Sequence, residues 1–374
     1  MEKNKNNRII ISGGGTGGHV FPAIAIANAL KSLNNELDIL FVGATGRMEM
    51  EKVPSAGYKI IGLPVQGLQR KLTLRNFTVL YNLLVSLIKA RRIIKNFKPA
   101  VAIGVGGYAS GPILRTAAKK GIPTLIQEQN SYAGVTNRLL AKKVQKICVA
   151  YNGMEKYFPA EKIVLTGNPV RKNLEDIHLL RNEATSYFSL QLHKKTLLVL
   201  GGSLGAKTIN ESIFANLEQL IKQNIQVIWQ TGSYYFDSIQ QDARTKNDNI
   251  KVLAFISRMD LAFASADLII SRAGASTISE LCIVARPVIL VPSPNVAEDH
   301  QTKNALALVN KRAALLVTDA EASAKLVPTA LETIKNDELL RDLAANISKM
   351  ALRDSAINIA NEIITLMKGD SANK

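Results

Sequence analysis

The sequence predicts an α/β protein made of two Rossmann-like domains in tandem, each built on a parallel sheet. Three observations predict this. Short β-branched runs alternate with helical patterns along nearly the whole chain, as they do where helices cover both faces of a parallel sheet. The two halves open alike: RIIISGGGTGGHVFP begins the first and TLLVLGGSLGAKTIN the second, each an apolar strand, a glycine-rich turn and a helix. Gly13 and Gly201 lie about half the chain apart, and 374 residues is itself a two-domain length.

In the first series the strands fall at Arg8–Ser12, Ile39–Val42, Val101–Val105, Thr124–Gln127, Lys146–Val149 and Ile163–Leu165. In the second they fall at Thr196–Leu200, Gln226–Gln230, Ile250–Ala254, Leu268–Ser271, Pro287–Val291 and Ala314–Val317. Helical stretches such as Pro22–Leu33 and Ala206–Lys222 lie between them. The Asn-Pro turn within Gly167–Arg171 marks the boundary, so the expected domains are residues 1–166 and 167–345. A tail from Asn346 to Met367 has helical periodicity and no strand to accompany it.

Composition excludes several classes. Apolar residues at 47% rule out a disordered chain. Two cysteines, Cys148 and Cys282, cannot form a disulfide scaffold or a four-ligand zinc site, and both sit in apolar runs that read as reduced core. The Ile9–Ile11 run is too short for a signal peptide, and the Phe77–Ile88 run is shorter than the ~20 residues a spanning helix needs. The charge is one-sided. Between Lys52 and Met154 there are 17 bases and one acid, Glu128, which accounts for nearly all of the net +17. Such a region calls for an anionic partner. The basic stretch lacks interleaved aromatics and any nucleic-acid module, so no nucleic-acid partner is expected.

The glycine turns carry the chemistry. Gly13-x-Gly15-x-x-Gly18 formally matches a dinucleotide fingerprint, but the second strand ends in Gly43, Ala44 and Thr45, without the acid that holds a nicotinamide ribose. No P-loop occurs. Glycines in Thr16-Gly17-Gly18-His19 let a substrate approach backbone N–H groups at a helix start, and the positive helix end favours a neutral His19 able to accept a proton. The turns Gly201–Ala206 and Arg272–Thr277 offer two further anion sites in one domain, and two such turns would converge on one phosphate-bearing ligand. Glu280 has two readings from spacing: the last member of a Thr277-x-x-Glu280 capping box, or a carboxylate accepting ribose hydroxyls. Glu298–Gln301 reads equally as an acidic first helical turn or as site residues. The four histidines show no metal-binding spacing and Asp-x-Asp is absent, so no metal and no cofactor is expected. Helix ends and Arg would neutralise a leaving diphosphate instead.

GGGTGGHVFPAIAIA, RMEMEKVP, GVGGYASGP, the Gln127–Asn130 segment, GNPVR, GGSLGA, SRAGASTISE and DHQTKNA, in this order and spanning the chain, resemble the bacterial peptidoglycan glycosyltransferases that add N-acetylglucosamine to lipid I to make lipid II. The resemblance implies a GT-B fold, in which two Rossmann-like domains face a cleft and a C-terminal helix (here 346–374) crosses back to the first domain. It implies UDP-N-acetylglucosamine as donor in the second domain and lipid I as acceptor in the first. By motif match, Thr16, Gly17 and Gly18 lie near the donor phosphates and acceptor. Asn130, Arg171 and Ser203 belong to the donor site, and the Ile256 backbone reads the uracil. Ala275, Ser276 and Thr277 hold ribose and phosphate with Glu280 as the ribose carboxylate, and Gln301 reads sugar hydroxyls. Two positions depart: many members have Gln at Leu204 and a second glutamine at Thr302, which implies fewer loop and sugar contacts here.

The implied reaction is an inverting displacement, with His19 as base and Glu128 in reserve. A nucleotide-sugar-binding scaffold without turnover, or another GT-B enzyme, would share the glycine turns. Lipid I also implies a peripheral protein on the cytoplasmic face of the membrane, with a cell-wall synthesis complex as a possible partner. The basic, leucine-bearing segment 68–75 is the expected contact with an anionic membrane surface, while Phe77–Ile88 reads as a buried core helix.

Overall fold

The computed structural model describes residues 7–65, 75–170, 174, 176–202, 204–296 and 299–369. The chain forms two compact units, Met1–Val170 with Leu352–Lys374, and Arg171–Ala351.

In the first unit, seven strands are paired in parallel in the order β3-β2-β1-β4-β5-β6-β7. They are β1 (Arg8–Ser12), β2 (Asp38–Ala44), β3 (Lys59–Leu63), β4 (Val101–Gly104), β5 (Thr124–Glu128), β6 (Lys146–Val149) and β7 (Ile163–Leu165). The helices are α1 (Gly17–Leu33), α2 (Glu49–Ser55), α3 (Arg75–Phe97), α4 (Ser110–Lys119) and α5 (Val135–Leu140). The isoleucine run of β1 shows why the sheet is covered on both sides. Ile9 and Ile11 pack with α1 on one face, and Ile10 packs with α3 and α4 on the other. A strand buried on both faces is continuously apolar, not alternating.

The second unit has six parallel strands in the order β10-β9-β8-β11-β12-β13. They are β8 (Thr196–Leu200), β9 (Gln226–Gln230), β10 (Ile250–Leu253), β11 (Leu268–Ser271), β12 (Val288–Leu290) and β13 (Leu315–Leu316). Around them lie α6 (Arg181–Tyr187), α7 (Lys207–Ala215), α8 (Leu217–Lys222), α9 (Ser233–Gln240), α10 (Met259–Ser265), α11 (Ala275–Val284), α12 (His300–Val309), α13 (Ala322–Lys335) and α14 (Asp337–Ser348). α15 (Ser355–Gly369) returns to the first unit. Cys148 and Cys282 are buried, and burial pushes both thiols up to about 12, so neither is a thiolate.

Several elements differ from expectation. β3 was not legible, because KIIGL is an edge strand, half-buried over most of its length. The expected helix Ala206–Lys222 is two helices that break at Asn216, whose side chain bonds back to the Ser212 carbonyl. The expected tail helix is also two: α14 ends in the second unit, and α15 starts after Asp354, which has a left-handed φ of 55°. The boundaries shift accordingly, from 166/167 to Val170/Arg171 and from 345/346 to Ala351/Leu352. The first shift has a clear cause. Asn168 is tied into the end of β5, accepting from Gln127 Nε2 at 2.8 Å and donating to the Gln129 carbonyl at 2.9 Å, which holds the GNPV segment in the first unit.

α15 packs against α1. Its Ile359, Ala360 and Ile363 are fully buried in the same core as Ile9 and Ile11. Ile359→Ala should therefore destabilise the protein by about 2–4 kcal/mol in urea unfolding. A cost below about 1 kcal/mol would mean that the helix is not part of this core.

Candidate active site

In an open parallel sheet, ligands bind at the carboxyl ends of the strands where the strand order reverses. β1 sits at this point in the first unit, between β2 and β4, and β8 occupies it in the second, between β9 and β11.

In the first unit the β1–α1 turn lies against the β4–α4 turn. A Cβ on Gly107, whose φ is 83°, would stand 2.3 Å from the Gly14 carbonyl oxygen, so only glycine permits the approach. Thr16 is the N-cap of α1, exposed and in extended conformation, and Gly17 and Gly18 are the first two helical residues. His19, half-buried, lies edge-on to Gly106, where a Cβ would come within 2.7 Å of Nε2. Its Nδ1 is 3.1 Å from the Gly14 carbonyl oxygen and 3.3 Å from Thr16 Oγ1. A carbonyl can only accept, so Nδ1 bears the proton and Nε2 bears the lone pair.

Glu128 is differently placed. It is 1% exposed at the end of β5. Oε1 accepts from the Asn130 N–H at 3.0 Å and from Asn130 Nδ2 at 3.3 Å. Oε2 accepts from the Gly134 N–H at 3.0 Å and from Asn137 Nδ2 at 2.9 Å. Burial raises its pKa against the pull of these bonds. A carboxylate enclosed in this way organises the 128–137 loop and has no exposed lone pair to offer a substrate, so it does not suit a reserve base. Asn130, half-buried, is held in place by it.

Sequence reasoning missed Glu49. It is 1% exposed and accepts from the Gly15 N–H at 3.0 Å and the Ala44 N–H at 2.9 Å. The only signal was an acid in RMEMEKVP, which resembles any acidic first helical turn.

In the second unit two turns converge, since β8 and β11 are neighbours. The β8–α7 turn is pressed against the β9–α9 turn: a Cβ on Gly232 (φ 82°) would meet the Gly205 nitrogen at 2.1 Å. Leu204 is 76% exposed on this turn. Ser203 and Arg171 lie outside the described residues. On the β11–α11 turn, Gly274 is the N-cap, and Ala275, Ser276 and Thr277 are the first three helical residues. Ser276 Oγ is buried with no hydrogen-bond partner among the described residues. Because Thr277 is not the N-cap, the capping-box reading of Glu280 fails; Glu280 is a half-buried residue of the second turn of α11. Arg272 does not point to a ligand. It bonds the Val291 and Pro292 carbonyls and Asp319, clamping the neighbouring loops.

Ile256 is buried, and its N–H donates to Gln230 Oε1 at 2.9 Å. Its backbone could therefore read a base only through the carbonyl, and Gln230 is a second organiser that spacing did not reveal. Gln301, the second residue of α12, accepts from the Ser293 N–H at 2.9 Å through Oε1, which leaves its amide N–H groups as the donating end. Thr302 donates to Asp299 Oδ1 at 2.7 Å. The residue at this departure thus braces Asp299, the left-handed N-cap of α12.

Segment 68–74 lies outside the described residues. The Phe77–Ile88 run is not the buried core helix expected. α3 sends Ala90, Ile93 and Ile94 into the core but leaves Leu80, Tyr81, Leu83, Leu84 and Ile88 between 41% and 66% exposed. Val79 and Ser86 are buried within the same stretch, so the run is amphipathic, and the exposed side chains form the face turned away from the core. Beyond Ile88, Arg91, Arg92 and Lys95 are exposed. Among the described residues no helix is long and apolar enough to cross a membrane, and no cluster of three or more His, Cys, Asp or Glu could hold a metal ion.

Two all-parallel Rossmann-like units, each with glycine turns opening helices at the point of strand reversal, are the architecture of the GT-B class. Residues 9–149 match the glycosyltransferase family 28 N-terminal domain and residues 196–359 the glycosyltransferase family 28 C-terminal domain. The UDP-N-acetylglucosamine–N-acetylmuramyl-(pentapeptide) pyrophosphoryl-undecaprenol N-acetylglucosamine transferase of Bacteroides thetaiotaomicron is 58% identical over 370 residues, covering 98% of this chain and 100% of its own. The protein of the same name from Bacteroides fragilis is 60% identical over 363 residues, covering 96% and 95%. The crystal structure of Acinetobacter baumannii MurG superposes with a TM-score of 0.79 at 29% identity, covering 96% of this chain and 99% of that one. The chain belongs to glycosyltransferase family 28.

If Glu128 organises its loop, Glu128→Ala removes the acceptor of the Asn130 and Gly134 backbone N–H groups and of the Asn130 and Asn137 side-chain amides. It should cost at least about 2 kcal/mol in chemical unfolding. Unchanged stability with lost turnover would return it to a role in the chemistry.

Proposed function

We propose that this chain transfers N-acetylglucosamine from UDP-N-acetylglucosamine to the 4-hydroxyl of the muramyl sugar of lipid I, forming lipid II. The observation that carries this reading is end-to-end identity of 58% with a transferase of that name. The acceptor oxygen attacks the anomeric carbon as the bond to the diphosphate breaks. Configuration inverts in one displacement, and UDP leaves. His19 Nε2 takes the hydroxyl proton. The N-terminus of α11, with the Ser276 hydroxyl, and the β8–α7 turn stabilise the departing diphosphate. Glu280 accepts the ribose hydroxyls, and Gln301 donates to the sugar. Arg171 and Ser203 are assigned to the diphosphate on their motifs alone. The test is UDP release from UDP-N-acetylglucosamine with and without a lipid I analogue. Turnover should require the acceptor, and donor binding without turnover would leave a scaffold.

His19→Ala should keep donor affinity and lower kcat by at least about a hundredfold. An unchanged kcat would pass the base role to another group. Glu280→Ala should raise the donor KM by about tenfold or more, the scale of one lost hydrogen bond to a charged group. A melting shift with normal kinetics would make its role structural.

The acceptor's undecaprenyl chain stays in the bilayer, so the first unit works at a membrane surface. The exposed face of α3 suits this: apolar side chains enter the headgroup boundary while Arg91, Arg92 and Lys95 meet anionic lipid, each worth about 1 kcal/mol near the surface. In this reading the protein is peripheral, on the cytoplasmic face. High salt should release it from anionic vesicles, and Leu80→Ser with Leu84→Ser should weaken vesicle binding without changing UDP affinity. Undiminished binding by the double variant would place the contact elsewhere.

A further inference from the structure

Glu49 has no place in the chemistry described so far, yet the fold makes room for it twice. A Cβ on Gly14, whose φ is 148°, would fall 2.1 Å from Glu49 Oε1, and a Cβ on Gly43 would fall 2.5 Å from its Cγ. Both oxygens accept backbone N–H groups, Oε1 from Ala44 and Oε2 from Gly15, which is how an ionised carboxylate is satisfied.

The Gly15 N–H belongs to the peptide group whose carbonyl is Gly14 O, and that oxygen is 3.1 Å from His19 Nδ1. One planar peptide therefore has the Glu49 carboxylate on its N–H and the His19 imidazole on its C=O. We propose that Glu49 is a positioning residue for the base, acting on His19 through the single peptide that joins Gly14 to Gly15. The proposal rests on His19 being the base. The carboxylate polarises the peptide, which makes Gly14 O a stronger acceptor for Nδ1–H, because hydrogen bonds in a chain strengthen one another. The arrangement does the work of a carboxylate bonded directly to imidazole: it fixes the Nδ1–H tautomer and stabilises the imidazolium formed when Nε2 takes the acceptor proton. Here the negative charge is kept one peptide away, buried, and out of reach of the anionic substrates.

Before Lys31, α1 carries no acidic or basic side chain other than His19. Arg47, before α2, and Tyr108, in the β4–α4 turn, are exposed. On α2, Glu51 pairs with Lys52 at the surface. Glu128 turns both oxygens into its own loop. Glu49 is buried and linked to the ring by hydrogen bonds through the Gly14–Gly15 peptide.

The test uses the full chain with histidine labelled at Cε1, the His19 resonance being assigned as the one of four lost in His19→Ala. In Glu49→Gln the negative charge is gone, the imidazolium is less favoured, and the His19 titration midpoint should move to lower pH by at least about half a unit. The acid limb of the kcat profile should move with it and the plateau fall about tenfold, while the KM for UDP-N-acetylglucosamine holds. Glu49→Asp keeps the charge and should fall between. An unchanged midpoint in Glu49→Gln overturns the proposal and leaves Glu49 a loop pin. Should that variant not fold, Glu49→Asp decides alone: a lowered midpoint supports the proposal and an unchanged one overturns it. The midpoint shift does not depend on turnover, so a failure of His19 as base shows separately, as undiminished kcat in His19→Ala.

Discussion

The hydrogen bond from His19 Nδ1 to the Gly14 carbonyl is the constraint on which the first unit's site depends. It requires the Gly14 carbonyl to face back toward the first turn of α1, which is possible only where the β1–α1 turn is free of side chains. The turn is in turn held from both sides. Glu49 accepts its Gly15 N–H while anchored to the Ala44 N–H at the end of β2, and the β4–α4 turn presses on it through Gly107. Gly106 leaves room for the imidazole edge. Gly14, Gly106 and Gly107 each answer a specific close approach, to Glu49, His19 and the Gly14 backbone in turn.

The second unit solves a different problem with the same parts. Its turn after β8 is likewise pressed against a neighbouring turn through paired glycines, Gly205 and Gly232, and the exposed Lys207 follows it as the first residue of α7. What it presents is a helix N-terminus beside a second one at α11, with a buried serine hydroxyl at the latter. That is an environment for negative charge, not for proton transfer. The division follows from the residue after each glycine turn: histidine at the first, and at the second Lys207, a cation suited to an anionic group.

Much of this was legible in the sequence because parallel strands buried on both faces leave unmistakable apolar runs, and glycine turns between strand and helix announce themselves. The strand β3 was hidden by its edge position, and the break before α15 by a helical periodicity that continues through it. The site was legible where a residue's role follows from local spacing, as for His19 after its turn. It was not legible where the role depends on what a distant segment brings. Glu49 and Gln230 each bond a backbone N–H of a loop they do not adjoin in sequence, and nothing in RMEM or VIWQ signals this. Glu128 was legible as special but not in kind, since four converging donors are a property of the folded loop. Glu280 was ambiguous in spacing, and the helix start at Gly274 removes the capping reading. The exposed leucines of α3 were misjudged because a run apolar all round reads as buried, whereas here only one face, with Val79, Ser86 and Ala90, meets the core.

The role of His19 as base turns on which of its nitrogens bears the proton. The free imidazole of histidine favours the Nε2–H form, so the protein must impose the other. The direct measurement is the pair of ¹⁵N chemical shifts of the His19 ring at a pH where it is neutral. The bond to the Gly14 carbonyl predicts a protonated Nδ1 and an unprotonated Nε2. A ring protonated at Nε2 would mean that the Gly14 carbonyl does not hold it, and that His19 has no lone pair facing the acceptor.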